Sequence, residues 1–178
     1  MSITTRKGDN GTTCLLYGRQ VSKFHPRIIA VGETDELTAA LGCARAQIPP
    51  SDPFHQSLLR IQKHLIDLMG ELAVDPQDDA RYRAGKFTPI PQEEVDWLTE
   101  DIHALEKKFP DGFHDWAIPG ASSLSASLDL ARAVCRRTER AVLQIKESEA
   151  LRQELHIYLN RLSDWLWLTA RVYEHQVG

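Results

Sequence analysis

The spacing of apolar residues between positions 54 and 72 constrains this chain more than any other feature. Phe54, Leu58, Ile61, Leu65, Leu68 and Leu72 recur at steps of 4, 3, 4, 3 and 4. An α-helix turns once in about 3.6 residues, so these side chains make one unbroken apolar stripe. A stripe of that length needs apolar partners along all of it, which predicts a central helix in a bundle. Asp52 is its expected start, and Val74-Asp75-Pro76 its expected end.

Four further segments supply partners. A first helix is expected from Thr34 as N-cap, with Asp35 and Glu36 in its first turn, where acids suit the helix dipole. Leu37, Leu41 and Ala44 form its stripe, and Pro49-Pro50 stops it. A third begins near Gln92 and buries Val95, Leu98, Ile102 and Leu105, with Phe109 at its edge. A fourth, capped by Ser122 or Ser123, carries Leu124, Leu128, Ala131, Cys135, Thr138, Val142 and Ile145. A fifth, roughly 149–175, carries Leu151, Leu155, Tyr158, Leu162, Trp165, Thr169 and Val172, with Asn160, Asp164 and Arg171 on its other faces. With no convincing long strands, the expectation is an all-α, up-and-down five-helix bundle in one domain, 1–178. Residues 1–32 would form an N-terminal loop and 33–178 the bundle. A length of 178 residues with 42% hydrophobic content suits that single core.

Composition narrows the function. The net charge of −4 provides no general basic field, so nucleic acid is not the expected partner. No apolar run approaches membrane-spanning length, and MSITTRKGDNG holds no apolar signal segment, so a membrane-free protein is expected, cytoplasmic or, in a eukaryote, shorn of a transit segment. Three dispersed cysteines suggest neither a disulfide framework nor a zinc site. Glu100-Asp101-Ile102-His103 is one E-x-x-H. A di-iron bundle needs two with further inward carboxylates, so a surface pairing is expected.

Three places invite chemistry. The first is LDLARAVCRRTERAVL, residues 128–143. Arg132, Arg136 and Arg140 are four apart and stack on one face, while Arg137 projects about 100° away. Glu139 is the nearby acid, so the cluster is short of partners. It is either a solvated basic face or a clamp whose guanidinium forks match phosphate oxygens. The second is TTRKGDNGTTCLLYGRQVSK, residues 4–23, an ordered loop or short hairpin around a Gly8–Gly11 turn. Its backbone N–H groups, threonine hydroxyls, Arg6, Lys7 and Lys23 could cradle phosphates, although GxxxxGK[ST] is absent. The third is PDGFHDWAIPGASS, residues 110–123, where Trp116 is either a plug over the core or a ligand wall. PQDDARYRAGKFTPIP, residues 76–91, reads as a loop, mobile in part. Asn160 is either a specificity-setting polar residue of the bundle or a group turned towards a ligand or its metal.

Taken together, TRKGDNGTTCLLYGRQVSK, PRIIAVGETDEL, ARAVCRRTERAV and YLNRLSDWLW stand in the order and spacing of one family. Over nearly its whole length the chain resembles the PduO-type ATP:corrinoid adenosyltransferases. The resemblance implies a ferritin-like, cobalamin adenosyltransferase-like five-helix bundle that forms a homotrimer, with ATP and corrinoid bound at subunit interfaces. It implies transfer of the 5′-deoxyadenosyl group of ATP to the cobalt of cob(I)alamin, giving adenosylcobalamin and triphosphate. It places Thr5, Arg6, Lys7, Gly8 and Thr13 around ATP and Lys23 on its phosphates. The RRTER match adds Arg136, Arg137, Thr138, Glu139 and Arg140, and Asn160 helps hold the nucleotide and its Mg²⁺. Asp35 pairs across the interface with Arg132, and Trp116 replaces the lower axial ligand of the corrinoid. Arg132, Arg136, Asp35 and Trp116 would carry catalysis. Implied partners are a corrinoid reductase and an adenosylcobalamin-dependent enzyme.

The chain departs from the family in four places. Trp116 stands where Phe is usual, and Ile118-Pro119-Gly120-Ala121 replaces a Leu-Pro-x-Gly-Gly loop. Asp129 replaces a common His, and Gln20 a basic residue. Two other functions fit parts of the pattern: a carrier or sensor that binds ATP and corrinoid without turnover, and a metal-storing helical bundle.

Overall fold

The computed structural model describes residues 4, 6, 8–113 and 116–177. Strands β1 (Thr12–Cys14) and β2 (Gln20–Ser22) precede helices α1 (Pro26–Arg45), α2 (Pro53–Leu72), α3 (Asp79–Arg83), α4 (Gln92–Glu106), α5 (Ser123–Lys146) and α6 (Gln153–Val177). The architecture is mostly helical: five long helices and the five-residue α3. The strands form an antiparallel hairpin with Thr13 opposite Val21.

The long helices run up and down. Contacts Arg27–Glu149, Glu33–Arg137 and Gln47–Ser127 place α1 antiparallel to α5. All six helices but α3 contribute to one core, and the stripe Leu58, Ile61, Leu65, Leu68, Leu72 is fully buried. Leu128, Ala131, Cys135, Thr138, Val142 and Ile145 of α5 are fully buried as well. The Cys135 thiol donates to the Leu159 carbonyl of α6 at 3.2 Å, and burial pushes its pKa well up, which makes it a packing group.

Start signals worked where the capping side chain stood at a chain reversal. The Asp52 carboxylate accepts the Phe54 N–H at 2.9 Å, and Ser122 with Ser125 forms a capping box. The expected start at Thr34 is corrected. α1 begins eight residues earlier, at Pro26, with the His25 ring accepting the Arg27 N–H. Thr34 is buried mid-helix, and its hydroxyl donates to the Ala30 carbonyl at 2.7 Å. A threonine hydroxyl serves either geometry, and the apolar face extending back through Ala30 selects the helical one. α6 starts at Gln153 rather than near 149. The expected loop 76–91 contains a 3₁₀ turn, Pro76–Asp78, and then α3. Tyr82 of α3 is buried and stacks on Phe87 at 5.5 Å, so an aromatic anchor orders a polar segment.

Candidate active site

The N-terminal hairpin sits on the end of the bundle where α2 finishes. The Leu16 N–H donates to the Ala73 carbonyl at 2.8 Å, and Leu15 is buried. Arg19 pairs with Asp75 at 3.3 Å and Asp78 at 3.0 Å, and Arg81 lies 4.1 Å from the centroid of the Tyr17 ring. These contacts fix the loop between the two strands, and the strand pairing carries the order on to the turn that precedes β1. There Gly11 takes φ +80, and its carbonyl accepts the Lys23 N–H at 3.0 Å. A Cβ on Gly8 would sit 3.1 Å from Lys23 Nζ and 3.2 Å from Lys23 Cε. The bare Gly8 backbone therefore lets the Lys23 ammonium lie against the turn. Arg6 is exposed with φ 58, and Thr13 is half-buried on β1. Thr5 and Lys7 lie outside the described residues. The hairpin thus brings Gly8 and Lys23 together, which no spacing in the sequence requires.

On α5 the four arginines have separate surroundings. Arg137 pairs with Glu33 and Glu36 of α1, and the Thr138 hydroxyl contacts the Glu33 carbonyl at 3.0 Å and the Val134 carbonyl at 3.1 Å. Arg132 lies 3.4 Å from Asp129. The expectation that the cluster lacks acids is corrected for these two, because their partners come from another helix or from the preceding turn. Arg136 and Arg140 are exposed and make no hydrogen bond or ion pair among the described residues. Unneutralised guanidinium groups on a rigid helix are suited to an anion.

Asn160 is half-buried on α6, and its Oδ1 accepts from Arg161 Nη1 at 2.9 Å. One turn on, partial burial raises the Asp164 carboxyl above its ordinary range, opposed by Arg161 and Arg136. Among the described residues no group of three or more His, Cys, Asp or Glu could hold a metal ion. Asn160 offers a single hard oxygen, which fits Mg²⁺ carried mainly by phosphates and water.

Asp35 is exposed on α1 and does not touch Arg132 within the chain. Trp116 is 96% exposed and Ile118 84%, so the reading of Trp116 as a core plug is corrected. Phe113, which the sequence reading missed, is the loop aromatic that meets the bundle: though 41% exposed, it packs edge-on to Trp167 at 4.4 Å and tilts against Phe109 at 4.8 Å. Beneath it lies a cavity of about 290 Å³ lined by Ile102, Glu106, Phe113, Asp164, Trp167 and Leu168. Its only sequence signal was a second aromatic in the same Gly/Pro loop.

A larger cleft of about 370 Å³ opens at the other end, near α3. Its Arg27, Arg83 and Arg152 are all paired with acids, so it offers no unneutralised cation.

The family model described as cobalamin adenosyltransferase matches residues 3–173. The chain is 37% identical over 176 residues to a cobalamin adenosyltransferase of Cupriavidus metallidurans, covering 99% of this chain and 90% of that one. It is 40% identical over 177 residues to the corrinoid adenosyltransferase PduO of Salmonella typhimurium, covering 96% of this chain but 49% of that protein. A variant PduO-type ATP:corrinoid adenosyltransferase from Lactobacillus reuteri, solved with cobalamin and ATP, superposes with a TM-score of 0.87 at 32% identity. That superposition covers 98% of this chain and 93% of the other. The chain belongs to the cobalamin adenosyltransferase family.

Proposed function

We propose that this chain, an ATP:corrinoid adenosyltransferase, works through the two separated groups of residues described above. The cobalt(I) electron pair of a reduced corrinoid forms a bond to C5′ of ATP. The C5′–O bond breaks, and the triphosphate leaves with the electron pair of that bond. No proton moves at the reacting carbon, so no catalytic base is required. The protein's tasks are to place the carbon over the cobalt and to stabilise charge on the leaving group.

Lys23, Arg136 and Arg140 serve the triphosphate, with the Gly8 turn, Arg6, Thr13 and the expected Thr5 and Lys7 around the nucleotide. The observation that carries this reading is the pair of exposed, unneutralised guanidinium groups at Arg136 and Arg140. Arg137 reaches the nucleotide only by giving up Glu33 and Glu36; Thr138, tied to the Glu33 carbonyl, and Glu139 complete the nucleotide side of the helix. Mg²⁺ supplies Lewis-acid charge neutralisation at the phosphates when bound, and Asn160 Oδ1 is the oxygen that would hold it.

Trp116 and Arg132 serve the corrinoid, with Trp116 packed on its lower face. Asp35 would meet Arg132 from a second copy of the chain, since the two stay apart within one copy. That favours a homotrimer with sites at the interfaces, built from single domains of 1–178 whose N-terminal segment completes the nucleotide site. No helix of the described residues is long and apolar enough to cross a membrane. A cytoplasmic enzyme supplied by a corrinoid reductase and serving an adenosylcobalamin-dependent enzyme is the setting that fits.

The test is anaerobic mixing of protein, ATP, Mg²⁺ and chemically reduced cobalamin while following cob(I)alamin absorbance. ATP-dependent loss of the band with release of triphosphate is expected. ATP binding without that loss would favour a carrier or sensor, and a monomer in sedimentation would refute the shared site.

A further inference from the structure

The carboxylate at position 129 is buried, 4% exposed, in a helix whose other buried residues carry no charge. It faces Arg171 of α6, itself only 3% exposed. Arg171 Nη2 donates to Asp129 Oδ2, and also to Glu174 Oε1 at 3.0 Å. Arg171 Nε lies 2.8 Å from Glu174 Oε2. The other Asp129 oxygen, Oδ1, lies 3.4 Å from Arg132 Nε. The four side chains form a chain of alternating charge, Glu174–Arg171–Asp129–Arg132, running from buried α6 to the half-exposed Arg132. At its buried end the Arg171 guanidinium lies 5.5 Å from the ring centroid of Trp167. Trp167 is the residue on which Phe113 rests, and Phe113 anchors the loop that carries Trp116.

We propose that Asp129 is a positioning residue for the corrinoid half of the site: the charge at one of its oxygens orients Arg132 through an ion pair, without a hydrogen bond, while buried Arg171 anchors the other oxygen. The inference rests on the functional reading above, which assigns Arg132 and Trp116 to the corrinoid. The physical argument is one of charge. With Asp129 ionised, the chain has two acids and two bases and is neutral. Without that charge, Arg171 is buried with half its counter-charge gone, and Arg132 keeps no acid from its own copy of the chain. Arg132, with 32% of its side chain exposed within one copy of the chain, is the partner able to change its direction. Arg136 and Arg140 lie one and two turns further along α5 and do not touch this chain of charges, so the nucleotide half is left alone.

Asp129→Asn keeps the volume and removes the charge. Because it also strands Arg171, it is paired with Asp129→Asn/Arg171→Met, in which both buried charges are gone and the fold has no orphan cation to carry. The probes are cob(II)alamin titrated into ATP-loaded protein, ATP titrated alone, and thermal unfolding. Asp129→Asn is expected to lower Tm and to weaken cob(II)alamin binding roughly tenfold or more, the scale of one charge-assisted contact, with ATP binding within about twofold of wild type. The double variant is expected to recover Tm but not corrinoid affinity. In an Arg132→Ala background, Asp129→Asn should add less than about twofold, because the two act as a unit. Recovery of cob(II)alamin affinity in the double variant would overturn the proposal, as would multiplication of the Asp129→Asn and Arg132→Ala losses. A wild-type protein that binds ATP but no cob(II)alamin would instead overturn the functional reading itself, and this inference with it.

Discussion

Replacing Arg136 by alanine isolates the phosphate clamp from the fold. Arg136 is exposed and makes no hydrogen bond or ion pair among the described residues, and Asp164, which feels its charge, keeps Arg161, so its removal breaks no contact of the fold. Stability should change by less than about 0.5 kcal/mol, the range of ordinary surface substitutions. A charge-assisted contact to a phosphate is worth about 1.5–3 kcal/mol, or roughly 10–150-fold in an equilibrium or rate constant. If Arg136 binds the triphosphate equally in ground and transition states, the loss appears in KM for ATP. If it binds charge that develops as the triphosphate leaves, the loss appears in kcat. Steady-state rates of cob(I)alamin consumption at varied ATP, with thermal unfolding alongside, separate these cases. The loss should shrink at high salt, because the contact is open to water. An unchanged kcat/KM with an unchanged Tm would refute the reasoning, and so would a fall in Tm large enough to account for the lost activity.

Other perturbations have equally definite outcomes. Trp116→Ala removes a side chain that is 96% exposed, so it should leave Tm unaltered while abolishing the four-coordinate cob(II)alamin spectrum and sparing ATP affinity; equal loss of both ligands would show a general loop defect. Leu65→Ala opens a cavity in the fully buried α2 stripe and should cost about 2–5 kcal/mol, read by denaturant titration, whereas a smaller loss would mean the bundle closes around it. His64 sits between Glu94 at 3.4 Å and the Tyr158 hydroxyl at 3.1 Å, with Arg60 and Asp67 nearby. Burial lowers its pKa beneath the ordinary 6.5, more than Glu94 and Asp67 restore it, and Arg60 adds to the fall. The unfolded chain therefore binds a proton that the folded chain rejects, so stability is full above 6.5 and declines as pH drops through the window below it. His64→Gln should flatten that part of a Tm-against-pH profile, and a slope unchanged by the substitution would assign it to other groups.

The helices were legible in the sequence because a 3.6-residue period is local: Leu58 to Leu72 declare their face without reference to any distant residue. Asp52 and Ser122 were legible as caps for the same reason. Thr34 was not, since its hydroxyl can cap a helix or bond back to Ala30, and only the length of the buried face decides. Tyr82 ordered a polar stretch that composition alone describes as loop. In the candidate site, the arginine spacing and the glycine turn were visible along the chain. The acids that hold Arg137 stand more than 100 residues away on α1. The loop side chain that packs on the bundle, against Trp167 and Phe109, is Phe113 and not Trp116.

What the sequence by itself determined is the set of amphipathic helices and the presence of a cationic helix in an acidic chain. Periodicity and residue type are properties of neighbours, so no fold is needed to read them. The Asp129–Arg132 pair, three apart on one helix, is local, but only the tertiary structure decided that Arg137 is neutralised by acids of α1 while Arg136 and Arg140 remain open to an anion. It also decided that Asp129 lies against buried Arg171. Charge pairing depends on which helix faces which, and that is settled by packing the apolar stripes of α1, α5 and α6 together.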